Sequence, residues 1–487
     1  FALRMLTPLC TLHSALIIHR SSFIVLHSSS DFLSPLPVTS DHAGLTGAPV
    51  VKFAIMTTSK PILLLTGALS YRNSAFFDAA ARLGLTVVEA VDLPRELADL
   101  WHVPLGAPFS QPDIAVPVIT AYARQHPLQA VLATDDTGTL LAAQVAAALG
   151  LEHNSPQAAL AARNKHLMRQ LFTAAGVPSP QSVRYDLAVD PVTLAAQVDY
   201  PVVLKPLLLS GSRGVIRANN PAEFIAAFAR TAAIVRDASG HAGADGHALL
   251  VETYIPGVEV ALEGLLSAGR LTVLALFDKP DPLEGPFFEE TIYVTPSRLP
   301  SAVQAQIAQV TAQAAAALGL RVGPVHAELR VNADGAWMVE IAGRSIGGYC
   351  SQTLRFDLDR SLEELILAQA AGLELGQLDA ASQANGVMMI PIPQAGYLRE
   401  VHGLAAAQAV PGIDEIVISA PLNNPIVPLP EGASYLGFIF ARGPDPAFVE
   451  AALRQAHACL RFTIEDSIPV SGQPDPPLAL LSRTTPR

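Results

Sequence analysis

The sequence predicts an α/β and α+β multidomain protein, with an N-terminal open parallel α/β sheet and a small C-terminal α+β domain. Three observations predict this. From Pro61, short apolar runs alternate with helical segments; a strand-rich stretch of paired alternating runs follows. At roughly 150 residues per domain, the 487 residues give about three domains.

Taken in order, residues 1–55 are a Ser/His/Leu mixture without either period, expected to be a poorly ordered extension, with Met56 as a plausible start. Pro61–Thr66 is an apolar run ending at Gly67, suited to a buried parallel strand. Ala75–Leu83 reads as a helix closed by Gly84, Thr86–Ala90 as the next strand, and Ala130–Ala133 with the helical Thr139–Leu149 as a repeat of the unit. These make an N-terminal domain over 56–155. Asp135 and Asp136 follow a strand and receive no role. Residues 157–180 predict one helix carrying Asn164-Lys165, at the start of a catalytic region spanning 156–375. Short strands at Val387–Ile392, Ile416–Ile418 and Tyr435–Ala441, with a helix over 446–459, make a C-terminal domain over 376–470. A proline-rich tail, 471–487, is expected to be loose.

Composition excludes several classes. Half the chain is hydrophobic and 15% is charged, which excludes wholesale disorder. A net charge of −12 argues against nucleic acid, and the absence of any run of 18 apolar residues argues against a membrane span. Cys10, Cys350 and Cys459 are too few and too scattered for a disulfide framework or a zinc cluster, so a cytoplasmic location is expected. Of 31 basic residues only Lys52, Lys60, Lys165, Lys205 and Lys279 are lysines. The last three mark places where a compact point charge is wanted rather than a planar guanidinium.

The most informative segment is Val325–Ala342, in which two alternating runs flank Asn332-Ala-Asp-Gly335. A three-residue loop, Ala333 to Gly335, sets Asn332 against Ala336 and Glu328 directly against Glu340. Val325, Ala327, Leu329, Val331, Trp337, Val339 and Ile341 then form a core face; His326, Glu328, Arg330, Met338 and Glu340 form the other. Opposed carboxylates repel unless something positive sits between them. A magnesium (or manganese) ion would serve, and so would Arg330 and His326 on a solvated face. Beyond the hairpin, Gly343-Arg344-Ser-Ile-Gly-Gly348 offers an arginine able to clamp phosphate or carboxylate. Lys205 closes the strand Tyr200–Lys205 and leads into Ser210-Gly211-Ser212-Arg213-Gly214, whose backbone amides suit a phosphate. In Glu252-Thr253-Tyr254-Ile255-Pro256-Gly257, a strand runs into an extended linker able to meet a base edge, and Glu259 and Glu263 share one face of the next strand.

Together these elements, over about residues 60–470, resemble the ATP-grasp superfamily. Within it they look closest to the carboxylate–amine ligase branch, including bacterial L-amino acid (dipeptide) ligases. Phe277-Asp-Lys279-Pro followed by Glu289-Glu-Thr supports that branch. The resemblance implies an ATP-grasp fold and roles for named residues. Lys165 and Lys205 would hold the ATP phosphates beneath a loop of Gly211, Ser212 and Gly214. Glu252, Thr253, Tyr254 and Ile255 would form the adenine hinge, with backbone groups of Thr253 and Ile255 reading the base. Glu259 would hold ribose, Glu328 and Glu340 magnesium, and Arg344 the reacting acyl group. Lys279 and Glu263 would contact substrate. One departure is Ala342, where many members place an asparagine that supplies a third metal ligand.

The implied activity is ATP-dependent amide formation through an acyl phosphate, releasing ADP, with small-molecule carboxylate and amine partners. Oligomeric state stays open, a homodimer included. Two alternatives remain: another ATP-grasp ligase, carboxylase-like or of purine-pathway type, and a non-catalytic nucleotide-binding regulatory protein. No Met-Lys-Met biotin-carrier motif is present.

Overall fold

The strand Ile62–Thr66 has all five residues buried and lies at the centre of the N-terminal sheet. Val87–Val91 pairs with it in parallel on one side and Ala130–Ala133 on the other, with Leu105–Gly106 beyond Val87–Val91. A strand buried on both faces needs cover on both. The helix Asn73–Leu83 covers one face through Phe76 and Ala79, and the helices Pro112–Gln125 and Asp136–Leu149 cover the other through Ile119 and Leu141. Gly84 ends the first helix in the left-handed conformation, φ 66°. Chain direction across the sheet reverses at Ile62–Thr66, so the loops after Thr66 and Ala133 flank a crevice, the usual ligand position in such sheets.

This computed structural model describes residues 60–238, 243–356, 359–376, 378 and 383–466, all within one compact unit, Thr57–Arg487. The expected N-terminal extension and C-terminal tail lie outside the described residues.

The single helix expected over 157–180 is two helices, Pro156–Arg163 and Lys165–Ala175. Asn164 ends the first and caps the second, its side-chain oxygen accepting the N–H groups of His166 and Leu167, both at 3.1 Å. Lys165 therefore opens a helix instead of lying inside one. Next comes an antiparallel sheet in the order Ser182–Asp186, Ala248–Thr253, Val202–Pro206, Ile216–Ala218, covered by the helix Pro221–Ala238 through Phe224 and Phe228.

The largest sheet has eight antiparallel strands. Their order is Gly335–Ala342, Gly323–Asn332, Val258–Ser267, Arg270–Asp278, Ile292–Thr295, Ala384–Ile390, Gly437–Gly443 and Ile413–Ile418. The helix Ser301–Leu318 packs on its first strands through Ile307, Val310 and Ala314. Strands from the C-terminal region thus continue the sheet across position 375/376. A separate three-stranded sheet holds Pro425–Ile426, Gly396–His402 and Arg461–Glu465, beside the helix Pro446–Cys459.

The hairpin places Glu328 opposite Glu340 as expected, but by a different route. Its turn has two residues, Ala333 and Asp334, because Asn332 pairs with Gly335. A bulge at Val339 then restores the expected register from Glu328 onward. Between turn and bulge the faces are exchanged. Ala336 and Met338 enter the core, while Trp337 and Val339 turn to the other side, so the expected faces of Trp337, Met338 and Val339 are corrected.

Candidate active site

A cavity of about 720 Å³ opens where the three larger sheets meet. Lys165, Lys205, Gly211, Ser212, Glu252, Thr253, Tyr254, Ile255, Glu259, Glu328, Glu340 and Arg344 all line it. Gly214 and Lys279 do not, and neither does Glu263.

At one end stand the two lysines. Lys165 reaches the Leu209 carbonyl at 2.8 Å and the Glu340 carboxylate at 3.1 Å. Lys205, at the end of its strand, meets Glu252 at 2.8 Å. Glu252 was expected in the hinge, yet its side chain is buried and ties Lys205 to Arg169, whose Nε lies 2.8 Å from the other oxygen. Burial alone would raise the pKa of Glu252, but the two cations outweigh it and hold the carboxyl below its usual range. Nothing in the sequence pattern points to Arg169: it lies on a helix among Met168 and Phe172, where arginine is seldom buried.

The Thr253 N–H is already bonded to the Gln181 carbonyl at 2.9 Å, so of the two expected base contacts a donor bond is left to Ile255. Two guanidinium groups lie over the Tyr254 ring, Arg217 at 3.9 Å and Arg330 at 5.1 Å from its centroid.

The middle of the cavity is acidic. Glu259, Glu290 and Glu328 each present an oxygen within 4.8 Å of the others. Lys279 sits among them, 2.8 Å from Glu259, 3.2 Å from Glu328 and in contact with Glu290. The ammonium of Lys279, expected to touch substrate, is buried and compensates three carboxylates. Burial and the neighbouring Glu328 charge push the Glu290 carboxyl up to about 7 against the pull of Lys279. Glu328 goes the other way: burial opposes it, yet Lys279 and His326 hold it well below the usual range. Glu263, likewise expected to contact substrate, does not line the cavity. It is fully buried, accepts the Ile346 N–H at 3.1 and 3.2 Å, and lies 3.3 Å from His326 Nδ1, so it braces the loop after Arg344. Glu290 and His326 were missed as cavity residues although each was visible, one in Glu289-Glu-Thr and the other on the polar face of its strand.

At the far end Arg344 pairs with Asp136 at 2.8 Å and donates to the Ser345 carbonyl at 2.8 Å. Arg72 also bonds Ser345, and the Tyr71 hydroxyl accepts the Gly348 N–H at 2.6 Å. The loops after the first and fourth N-terminal strands thereby fix the Arg344–Gly348 segment. Asp136, left without a role above, is the residue that orients Arg344.

Residues 198–353 match the ATP-grasp domain, residues 77–153 the ATP-grasp N-terminal domain, and residues 388–465 the L-amino acid ligase C-terminal domain 2. The chain contains an ATP-grasp domain. In fold the chain resembles the solved L-amino acid ligase from Bacillus licheniformis, with a TM-score of 0.68 and 23% identity over 84% of this chain and 100% of that one. Phosphoribosylglycinamide synthetase from Anaerococcus prevotii gives 0.58 and 16%, over 84% and 100%. At these identities the likeness is one of fold. Among curated proteins, this ATP-grasp chain is 25% identical to the uncharacterized protein y4rH of Sinorhizobium fredii over 303 residues, 62% of this chain and 61% of that one. It is 31% identical to carnosine synthase 1 of Gallus gallus over 179 residues, 36% of this chain and 19% of that one. It is 25% identical to alanine–anticapsin ligase of Bacillus subtilis over 323 residues, 61% and 68% of the two chains. The chain thus spans less than two thirds of the first two relatives. Among the described residues no helix is long and apolar enough to cross a membrane.

Proposed function

We propose that the protein is an ATP-dependent, ADP-forming carboxylate–amine ligase that makes an amide through an acyl phosphate on amino-acid-like substrates. The carrying observation is that Lys165, Lys205, Glu328, Glu340 and Arg344 line one cavity. The match of residues 388–465 to the L-amino acid ligase C-terminal domain supports the amide-forming branch over carboxylase and purine-pathway readings. The free thiols of Cys350 and Cys459 fit the reducing cytoplasm.

A carboxylate does not acylate an amine unaided, because oxide is too poor a leaving group. Transfer of the γ-phosphoryl group of ATP to a carboxylate oxygen turns that leaving group into phosphate. The work left to the protein is positioning and charge neutralisation. Lys165 and Lys205 hold phosphate oxygens, and Arg169 and Glu252 keep Lys205 in place. Arg344, aimed by Asp136, holds the acid and then the acyl phosphate. The amine nitrogen bonds to the acyl carbon, the carbon–oxygen bond to phosphate breaks, phosphate leaves with the electron pair, and the proton shed by the nitrogen passes to solvent.

Magnesium fits Glu328 and Glu340, two hard oxygen donors facing each other across the hairpin at the cavity wall. The nearby trio of Glu259, Glu290 and Glu328 suits it less, since Lys279 contacts all three of those carboxylates, whereas of the hairpin pair it contacts Glu328 alone. Ala342 adds no oxygen. When bound, the ion neutralises the phosphate charge that develops during transfer.

The test is ADP and phosphate release with ATP and magnesium across a matrix of amino-acid pairs, with amides identified by mass spectrometry. The expected result is ADP release that requires both an acid and an amine. Release that no pair raises above ATP alone would reject the ligase reading.

A further inference from the structure

The glycine loop beside the phosphate lysines is held from outside its own sheet. Gly211, Ser212 and Gly214 have φ of 63°, 54° and 74°. The contacts that hold this conformation come largely from far along the chain. The Gly214 N–H donates to the Pro430 carbonyl at 2.8 Å, and Arg213 Nε–H donates to the Glu431 carbonyl at 2.8 Å. The Glu431 carboxylate accepts two N–H bonds from Arg230, at 2.5 and 2.8 Å, which anchors it to the helix Pro221–Ala238. From that same helix Thr231 donates to the Gly214 carbonyl at 3.0 Å. Ala433, two residues past Glu431, lines the cavity and faces Gly211. The turn that brings this segment in depends on Gly432, where an added Cβ would lie 1.9 Å from the Val427 carbonyl oxygen.

We propose that Pro428–Ala433 is a clasp that holds the Ser210–Gly214 loop down over the phosphates, and that Glu431 is the positioning residue that fixes it. The functional consequence rests on the ligase reading above. An exposed ion pair contributes little binding energy by itself. Glu431 is different in what it joins: its backbone holds the loop and its side chain holds the helix beneath, so losing the pair releases both from the C-terminal segment. A loosened loop admits water to the acyl phosphate. The water oxygen then bonds to the acyl carbon, the bond from that carbon to phosphate breaks, and phosphate leaves with the electron pair. The water proton passes to solvent. The acid is regenerated and ATP is spent without an amide.

Two measurements on the full chain carrying Glu431→Gln test this. The first is trypsin cleavage after Arg213, located by mass spectrometry, which depends on the clasp and not on activity. The second is amide formed per ADP released. Cleavage should be several-fold faster than in the wild type, and amide per ADP should fall several-fold. Unchanged cleavage overturns the clasp. Faster cleavage with an unchanged ratio overturns the role of Glu431 in excluding water. If the wild type makes no amide from any pair, the ligase reading fails, and the trypsin measurement still decides the clasp.

Discussion

Glu252 holds Lys205 from the neighbouring strand, its Oε2 lying 2.8 Å from the ammonium while Oε1 lies 2.8 Å from Arg169 Nε. A carboxylate buried between two cations fixes Lys205, the proposed phosphate-binding group, before any nucleotide arrives. Removing it strands two positive charges in a place almost without water. Glu252→Gln is therefore expected to cost about 3–5 kcal/mol of stability, read as a lower urea midpoint. A variant as stable as the wild type would mean that Arg169 and Lys205 find other partners.

Lys205→Ala removes the cation and leaves Glu252 paired with Arg169. Its expected effect falls on nucleotide binding: a charge-assisted contact contributes about 1.5–3 kcal/mol, roughly 10- to 150-fold in Kd. Titration calorimetry with ADP and magnesium checks it, and unchanged affinity would remove Lys205 from the phosphate site.

Glu340→Ala should abolish ADP release while leaving the fold intact. The side chain is partly exposed on an edge strand, and its partner Lys165 keeps the Leu209 carbonyl. Circular dichroism separates loss of fold from loss of chemistry. Near-normal amide formation would refute the metal assignment.

Asp136 gives a prediction in pH. Burial would raise its carboxyl, but the Arg344 guanidinium overrides this and brings it down to about 2. The folded-state value lies below the ordinary one of 3.8, so the pair contributes its full stability above about pH 4. That contribution, about 2 kcal/mol, is lost as pH falls through 2. Asp136→Asn should be less stable than the wild type near neutrality, and the gap should close between pH 4 and 2. Urea midpoints at several pH values check it; a gap of constant size would show that the pair does not carry it.

Gly257 sits at φ 120°, and a Cβ added there would lie 2.2 Å from the Val331 carbonyl oxygen. Gly257→Ala must push the hinge Thr253–Ile255 away from the hairpin. Thermal unfolding should register a loss of about 1–3 kcal/mol, with weaker nucleotide binding beside it. A variant that melts and binds like the wild type would show that the turn is free to relax.

What the sequence made legible was local and periodic. Glu328 and Glu340 stand opposed as expected only because two departures cancel: the turn is one residue shorter than expected, and the bulge at Val339 adds one back. Alternation along Val325–Ile341 hid that bulge, which leaves composition untouched and reverses Trp337, Met338 and Val339. Scarcity of lysine singled out Lys165, Lys205 and Lys279 as places for a compact charge, but not the partners of Lys279, since Glu259, Glu290 and Glu328 come from three separate segments. The pairing of Arg344 with Asp136, and of Arg230 with Glu431, joins residues about 200 positions apart. Neither periodicity nor turn chemistry reports such distances.

Continuity of the eight-stranded sheet governs how this molecule can be dissected. Ile292–Thr295, buried at every position, is flanked by Ala384–Ile390 on one side. A truncation ending at residue 375 would strip away that neighbour and leave an apolar strand with unpaired backbone groups facing solvent. Such an edge recruits other chains, so the nucleotide-binding half expressed alone should precipitate instead of serving as a minimal enzyme.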